Sequence, residues 1–174
     1  HAVCAAVVRA GHPAVAASAG LIGMAAVIFA SLRVADVACF DTRAYRLAFC
    51  RQHLAVDAAV EVGEGDAARL AALTNGEYFD AVFDATGNLD AMNRGFEFVA
   101  HGGKYTLISI VRGHVAFSDP EFHKRETTLL ASRNATAEDF ATVLDARRAG
   151  RIPDRALNTH RMRLARVRAA LPRM

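Results

Sequence analysis

A short glycine-containing segment, Ser18-Ala-Gly20-Leu-Ile-Gly23, limits what this chain can fold into more than any other feature. It follows an extended stretch, Pro13–Ala17, and it opens an apolar run, Leu21–Leu32, of helical length. A second strand-like stretch, Val34–Phe40, then ends on Asp41. The order of strand, glycine turn, helix, strand and acid is that of a βαβ unit that holds a dinucleotide.

Each residue of this segment has a physical reason to be there. Gly20 lets the backbone approach a pyrophosphate, because a Cβ atom would collide with it, and Gly23 lets the helix pack against the sheet. Free N–H groups at the helix start hold negative charge. The carboxylate of Asp41 can bind both ribose hydroxyls and repels a 2′-phosphate, which favours NAD over NADP.

The first position of the fingerprint departs from the expected G-x-G-x-x-G, because Ser18 stands where the pattern has glycine. That glycine makes the tight turn out of the strand, often with a positive φ, which serine adopts only at a cost. A chance match in an alanine- and glycine-rich chain is the alternative interpretation.

Composition limits the class of protein. The 174 residues suit one domain, and 53% hydrophobic with 22% charged residues indicate a globular chain. No apolar run approaches the ~18 residues of a membrane span, so we expect no membrane segment. The net charge of +3 gathers late, in Arg147–Arg155 and Arg161–Arg173. Without interleaved aromatic residues, this excess favours solvated helix faces over a nucleic-acid surface.

The three cysteines, Cys4, Cys39 and Cys50, are odd in number and form no C-x-x-C pair. They predict a reducing, cytoplasmic setting. The chain begins at His1 without a methionine or a signal peptide, so we expect a fragment or a trimmed chain.

Strand and helix patterns alternate to about residue 150, which predicts an α/β fold, a single-domain, doubly wound parallel sheet of the Rossmann type. After Asp41 the predicted strands are Ala58–Val62, Phe79–Asp84, Lys104–Val111 and Thr127–Ser132. The predicted helices are Ala44–His53, Asp66–Leu73, Leu89–Ala100 with Gly102-Gly103 as its C-cap, Glu138–Arg148 after a capping box at Thr136, and Leu164–Ala170.

Four groups of residues fall at the carboxyl ends of predicted strands, namely Ser18–Gly20, Asp41, Asp84–Gly87 and Ser109–Val111. Ligands of open parallel sheets bind along that edge, so we expect these groups to share one crevice. The first strand, Ala14–Ala17, is rich in alanine, a poor strand former, and there we expect reduced stability or an error in its bounds.

The following stretches are spread over nearly the whole chain: His1-Ala-Val, Ala19-Gly20-Leu-Ile-Gly23, Asp41 with Arg46, Tyr78-Phe-Asp-Ala-Val-Phe-Asp-Ala-Thr-Gly87, Gly102-Gly-Lys-Tyr, Phe122-His-Lys-Arg-Glu-Thr-Thr-Leu-Leu-Ala-Ser-Arg-Asn134, Asp139-Phe140 and Asn158-Thr-His160. Through them the chain resembles the coenzyme-binding domain of the medium-chain, zinc-dependent alcohol and polyol dehydrogenases. Within that family it is most similar to enzymes of sugar acids and polyols, of the galactonate or idonate type.

The resemblance implies a cofactor role for thirteen residues. The backbone of Gly20, Leu21 and Ile22, next to Ser18, would face the pyrophosphate, and Asp41 with Arg46 would bind the adenosine ribose. Ala85 and Thr86 would line the adenine side, Ser109 and Ile110 would lie near the nicotinamide, and Ser132, Arg133 and Asn134 near the far end of the cofactor.

Simpler roles remain open for several of these residues. In these alternatives Arg46 is only a solvated helix residue, and Thr86 is only a turn residue that caps the next helix. Arg133 and Asn134 then only organise the turn before Thr136.

The resemblance also implies what this chain lacks. In the family a separate N-terminal domain supplies the catalytic zinc ligands and most of the substrate pocket, and neither is present in residues 1–174, which we expect to be a dinucleotide-binding domain without the family's final strand. His114, His123 and His160 have no metal-ligand spacing, and Asp80 with Asp84 does not suggest paired catalytic carboxylates. We therefore predict no catalytic or metal site in the chain itself.

Two functions follow from these patterns. The first is the NAD-binding part of an oxidoreductase that moves a hydride between an alcohol, polyol or sugar acid and NAD. The substrate would be bound together with the missing catalytic domain, and a homo-oligomer is one option for the assembly. The second is a non-catalytic fragment, or a drifted paralogue, that binds partners through its sheet edge.

Overall fold

A computed structural model describes residues 1–170 except 7, 9, 34 and 35. Its centre is a six-stranded parallel sheet in the order β3-β2-β1-β4-β5-β6. The strands are β1 (Ala14–Ala17), β2 (Val37–Asp41), β3 (Ala58–Glu61), β4 (Phe79–Asp84), β5 (Val99–Leu107) and β6 (Thr128–Ala131). This arrangement confirms the predicted doubly wound α/β fold.

Helices connect the strands and cover both faces of the sheet. They are α1 (Ala2–Ala5), α2 (Leu21–Ser31), α3 (Ala44–His53), α4 (Asp66–Ala72), α5 (Leu89–Arg94), α6 (Asp119–Lys124), α7 (Ala137–Arg148), α8 (Asp154–Leu157) and α9 (Val167–Ala170), with 3₁₀ turns at Gly95–Phe98 and Leu164–Arg166. The predicted capping box of α7 is present, because the Thr136 and Asp139 side chains each accept a hydrogen bond from the other residue's backbone N–H.

The alanine-rich strand β1 is the centre of the fold and is completely buried. It pairs with β2 on one side and with β4 on the other, so that Ala16 lies opposite both Cys39 and Phe83. Because strand side chains alternate, Ala14 and Ala16 pack on the face that α2 and α3 cover, while Val15 and Ala17 pack on the α4 face. The predicted bounds of β1 are correct, and small side chains on both faces bring the covering helices close.

One predicted helix ends early. Leu89–Ala100 was expected to be helical with a glycine C-cap, but α5 ends at Arg94 and β5 already begins at Val99, so Gly102 and Gly103 lie inside a strand. The chain tightens into a 3₁₀ turn over Gly95–Phe98, and β5 packs closely against the start of this turn. A Cβ atom on Gly95 would lie 2.1 Å from the Tyr105 hydroxyl oxygen, so β5 packs directly over the end of α5. The Tyr105 hydroxyl donates a hydrogen bond to the Met92 carbonyl.

The remaining differences are smaller. Strand β5 ends at Leu107, so Ser109 and Ile110 follow the strand, and the polar connection after it contains α6, which the sequence did not predict. Helix α1 was also not predicted. Val34 and Ala35, the expected start of β2, and the end of the basic region beyond residue 170 lie outside the described residues.

Helix α2 approaches the end of β1 so closely that only glycine fits at position 23. A Cβ atom there would lie 1.7 Å from the Ser18 carbonyl oxygen, which is backbone and cannot move aside. We therefore expect Gly23→Ala to lower the free energy of unfolding by at least about 2 kcal/mol, measured by urea denaturation. Gly20→Ala is the matched control, since its Cβ atom would meet only side-chain atoms, the Ser18 hydroxyl at 3.3 Å and an Arg46 nitrogen at 3.9 Å. Equal stability of the two variants would contradict this packing.

Candidate functional site

The carboxyl ends of β1, β2 and β4 lie side by side and place the glycine turn between them. The Ser18 N–H donates to the Phe40 carbonyl at 2.7 Å, and the Ala85 N–H donates to the Ala17 carbonyl at 3.0 Å. The turn that leaves β1 is therefore hydrogen-bonded to both neighbouring strands. The ends of these three strands meet at one edge of the sheet.

The turn itself carries backbone strain. Ser18 has a φ of 96°, a region that residues with a side chain rarely adopt. Its hydroxyl accepts a hydrogen bond from the Gly20 N–H at 3.1 Å, which partly compensates the strain. The conformation expected of the first fingerprint glycine is thus retained with serine in its place.

Helix α2 opens toward solvent with free donors. Its first backbone hydrogen bond runs from the Met24 N–H to the Gly20 carbonyl at 2.8 Å. The preceding N–H groups, those of Leu21, Ile22 and Gly23, have no carbonyl one turn earlier in the helix to bond. Leu21 and Ile22 are 68% and 56% exposed, so an anion can reach these amides.

Asp41 is buried at the end of β2 and reaches across to the glycine turn. Its Oδ2 atom accepts a hydrogen bond from the Ala19 N–H at 2.7 Å, and its Oδ1 atom accepts one from the Arg43 N–H at 2.8 Å. The Arg46 guanidinium lies 3.7 Å from Oδ2. A carboxylate oxygen can accept more than one hydrogen bond, so acceptor capacity remains for hydroxyls in the cavity.

Arg46 stands beside this carboxylate and is held in place by its neighbour on α3. Its Nε–H donates to the Tyr45 hydroxyl at 3.2 Å. That hydrogen bond, followed by the negative charge of Asp41, raises the pKa of Arg46 above its ordinary value. The guanidinium therefore keeps its charge at the rim of the site.

A cavity of about 420 Å³, which we call the base cavity, opens between the ends of β1, β2 and β4. It brings together four of the predicted site residues: Ser18, Asp41, Arg46 and Thr86. Its other lining residues are Ala17, Phe40, Thr42, Val62, Asn88, Asp90, Ala91, Arg94, Gly95 and Phe98. Most of its wall is apolar, with a few polar groups among the lining residues, as in many small-molecule sites.

A second cavity, of about 260 Å³, adjoins the glycine turn on the opposite side of Arg46. Gly20 and Leu21 line it, together with Tyr45 of α3 and Leu157 of α8. The two cavities share Arg46, so one elongated ligand can run from the base cavity past the turn.

The hydroxyl groups of Thr86 and Ser109 bind a buried carboxylate. Asp84 is fully buried at the end of β4 and accepts hydrogen bonds from the Thr86 hydroxyl at 2.8 Å and from the Ser109 hydroxyl. The Thr86 hydroxyl also accepts a hydrogen bond from the Asn88 N–H at 3.2 Å, and the Asn88 side chain caps α5. Thr86 is therefore a turn residue as well as part of the cavity wall.

The other predicted residues lie along the same edge but line neither cavity. Ile110 is 82% exposed, and the Ser132 N–H donates to the Leu107 carbonyl at 2.9 Å, which ties the end of β6 to β5. Asn134 has a φ of 60°, typical of a turn. This set comprises Ile22, Ala85, Ser109, Ile110, Ser132, Arg133 and Asn134, and their cofactor contacts stay predictions.

Sequence reasoning missed the inner wall of the base cavity. Phe40, Phe98 and Arg94 form it, and Asp66 supports it from behind through two hydrogen bonds to the Arg94 guanidinium. Phe40 directly precedes Asp41, so its position next to the predicted acid was a usable signal. Nothing in the sequence indicates that Asp66 and Arg94, 28 residues apart, form a pair.

A metal site would need several His, Cys, Asp or Glu side chains close together. Among residues 1–170, apart from the four gaps, no three His, Cys, Asp or Glu side chains are grouped so that they could hold a metal ion. In the same part of the chain no helix combines the length and the apolar character needed to cross a membrane.

Comparison with known proteins identifies relatives of this chain. The family model described as zinc-binding dehydrogenase matches residues 22–148. The L-galactonate-5-dehydrogenase of Escherichia coli strain K12 is 38% identical over 165 residues, which are 92% of this chain and 47% of that protein. The chain thus spans about half the length of this relative.

Solved structures agree on the fold. An alcohol dehydrogenase from Thermotoga maritima superimposes with a TM-score of 0.83 at 22% identity, over 95% of this chain and 47% of that one. The L-idonate 5-dehydrogenase of Escherichia coli gives a TM-score of 0.75 at 22% identity, over 88% and 44%. At this identity the likeness concerns the fold alone.

Because of the buried Asp66, the stability of the chain depends on pH. Hydrogen bonds from Arg94 lower the pKa of Asp66 from 3.8 to about 2. Its carboxylate therefore stabilises the fold above about pH 4, and this contribution is lost as the pH falls toward about 2. We expect Asp66→Asn to remove about 2 kcal/mol at neutral pH and to flatten the pH dependence in this window.

Urea denaturation of both proteins at a series of pH values measures the difference. Asp145→Asn is the control, because Asp145 forms a similar pair with Arg148 but its side chain is 69% exposed. If Asp66→Asn and wild type lost stability in parallel between pH 4 and 2, the ion pair would not be the cause.

Proposed function

Because the chain belongs to the zinc-binding dehydrogenase family, we propose that it is the dinucleotide-binding part of an oxidoreductase that uses NAD. The observation that carries the proposal is the junction at Asp41, where one carboxylate holds the glycine turn and also faces the base cavity. The larger enzyme moves a hydride between an alcohol, polyol or sugar acid and the cofactor. The likeness to L-galactonate-5-dehydrogenase supports the sugar-acid class.

The cofactor is assigned to the crevice in one direction. Its adenosine occupies the base cavity, with the ribose hydroxyls donating to the Asp41 carboxylate and accepting from the Arg46 guanidinium at the rim. Its pyrophosphate rests on the amides of Leu21 and Ile22, where the partial positive charge of the helix start favours an anion. The nicotinamide then extends toward Ser109 and Ile110, and Ser132, Arg133 and Asn134 lie beyond it.

In the hydride transfer, this chain binds and orients the cofactor. When bound, NAD supplies the carbon that accepts the hydride, and the residues of the crevice fix which ring face is presented. The described residues offer no donor set for zinc, so no step is assigned to a metal in this chain. The remaining chemistry belongs to a catalytic domain outside this chain, and the assembled enzyme is proposed to be a homo-oligomer.

The cellular setting is proposed from the thiols. Cys39 and Cys50 are both buried and free. Unpaired buried thiols fit a reducing compartment, which supports the predicted cytoplasmic location.

Calorimetric titration with NADH tests the proposal. We expect the chain to bind NADH and to bind NADPH at least about tenfold more weakly, because the Asp41 carboxylate repels a 2′-phosphate. Gly20→Ala keeps the fold but places a methyl group where the pyrophosphate approaches, so we expect it to weaken NADH binding by about tenfold or more. A folded chain that gives neither heat nor a thermal shift at millimolar NADH would refute the proposal.

The serine in the glycine turn gives a second test. Ser18→Gly removes the cost of a positive φ and frees the Gly20 N–H, so we expect tighter NADH binding with little change in thermal stability. The double variant Ser18→Gly with Gly20→Ala is the control, since the added methyl group cancels the gain. If neither the wild type nor Ser18→Gly binds NADH, the alternative is favoured, namely a non-catalytic domain that uses its sheet edge for a partner.

A further inference from the structure

The ion pair between Asp66 and Arg94 lies behind the base cavity and has no role in the cofactor assignment above. Asp66 begins α4 and is 2% exposed, while Arg94 ends α5 and lines the cavity. The two terminal guanidinium nitrogens of Arg94 bond separate oxygens of Asp66, one of them at 2.7 Å. Such a two-point contact fixes both the distance and the angle between its partners.

This pair connects two chain segments that line the base cavity. The Asp66 carboxylate also accepts a hydrogen bond from the Gly63 N–H at 3.0 Å, and Gly63 directly follows Val62. On the other side Arg94 directly precedes Gly95. Val62 and Gly95 both line the cavity. One buried carboxylate therefore ties the loop after β3 to the end of α5, and both segments contribute to the cavity wall.

The guanidinium group is also held against aromatic rings. Its central carbon lies 5.1 Å from the centre of the Phe98 ring and 6.0 Å from that of Phe40, and the two rings meet edge to face at 5.6 Å. These contacts give the inner wall apolar surfaces next to a planar cation. A wall of this kind suits a flat aromatic base.

The charge of Arg94 argues against a phosphate ligand at this point. Asp66 neutralises the guanidinium and takes up two of its donor nitrogens. An anion would have to break this two-point contact and leave the buried Asp66 carboxylate without its partner, which is costly. The pair therefore acts on the shape of the cavity and not as an anion receptor.

We propose that the Asp66–Arg94 pair is a positioning element that sets the width of the base cavity, so that the site selects adenine over wider bases. This inference rests on the proposed function, because it takes the adenosine half of the cofactor as the occupant. It adds a specificity role for two residues that are not in the glycine turn or at the end of β2.

The probes are adenosine monophosphate (AMP), its wider 1,N6-etheno derivative and NADH, each titrated against the full chain. We expect the wild type to bind AMP at least about tenfold more tightly than etheno-AMP. In Asp66→Asn the walls are no longer held together, so this ratio should fall to within about threefold. Arg94→Lys keeps a charge opposite buried Asp66 but makes a single contact, so it should give an intermediate ratio and keeps the test valid if Asp66→Asn does not fold.

Arg147→Met is the matched control, because Arg147 forms an exposed ion pair with Asp154 at 3.1 Å and lines neither cavity. It should leave the ratio unchanged. A purely structural role of the Asp66–Arg94 pair would lower thermal stability but weaken both ligands equally, and an unchanged ratio in the folded variants would overturn the inference. Wild type that binds AMP but not NADH would refute only the proposed function, while wild type that binds neither would refute both.

Discussion

The hydrogen bond from the Ala19 amide to the Asp41 carboxylate holds together the part of the molecule on which the rest of the crevice depends. It joins the turn after β1 to the end of β2 in a buried setting, where such a bond is stronger than in water. This glycine turn also fixes the start of α2, since Gly23 packs directly on the Ser18 carbonyl. Strand pairing, helix packing and the anion-accessible amides are therefore consequences of one arrangement, and the strain at Ser18 persists because its surroundings determine it so fully.

Elements with a strong local pattern were predicted well from the sequence. The bounds of α3 and β4 match the structure, and the capping box of α7 is formed as expected. The error after Leu89 has a different origin. The α-helix gives way there to a 3₁₀ turn, where Tyr105 of β5 packs against Gly95, and no local pattern reports a contact between residues ten positions apart on different elements. The apolar residues 98–100 fit a buried strand as well as a helix, so periodicity alone did not decide between them.

The candidate site divides in the same way. Ser18, Gly20 and Asp41 were predicted because they follow strands in a known order, and Arg46 because of the family resemblance. The fold places all four beside the two cavities. The side-chain partners were not accessible to sequence reasoning. The Ser109–Asp84 and Arg94–Asp66 contacts join residues 25 and 28 positions apart, so they depend on how the finished fold packs. Only the Thr86–Asp84 hydrogen bond is local, because it joins residues two positions apart. The adenosine end of the crevice is consequently better defined by this chain than the end near Ile110, which is largely exposed.

Strand β1 leaves no room for variation. Ala14 and Ala16 pack on the face that α2 and α3 cover, Ala17 packs on the α4 face, and all three are buried. A larger residue at Ala14 or Ala16 would push α2 outward, and with it the amides that open toward the pyrophosphate path. Substitutions at these positions should thus be confined to the smallest side chains. The tolerance of the domain to mutation should rise steadily from the middle of the sheet toward its edge strands β3 and β6.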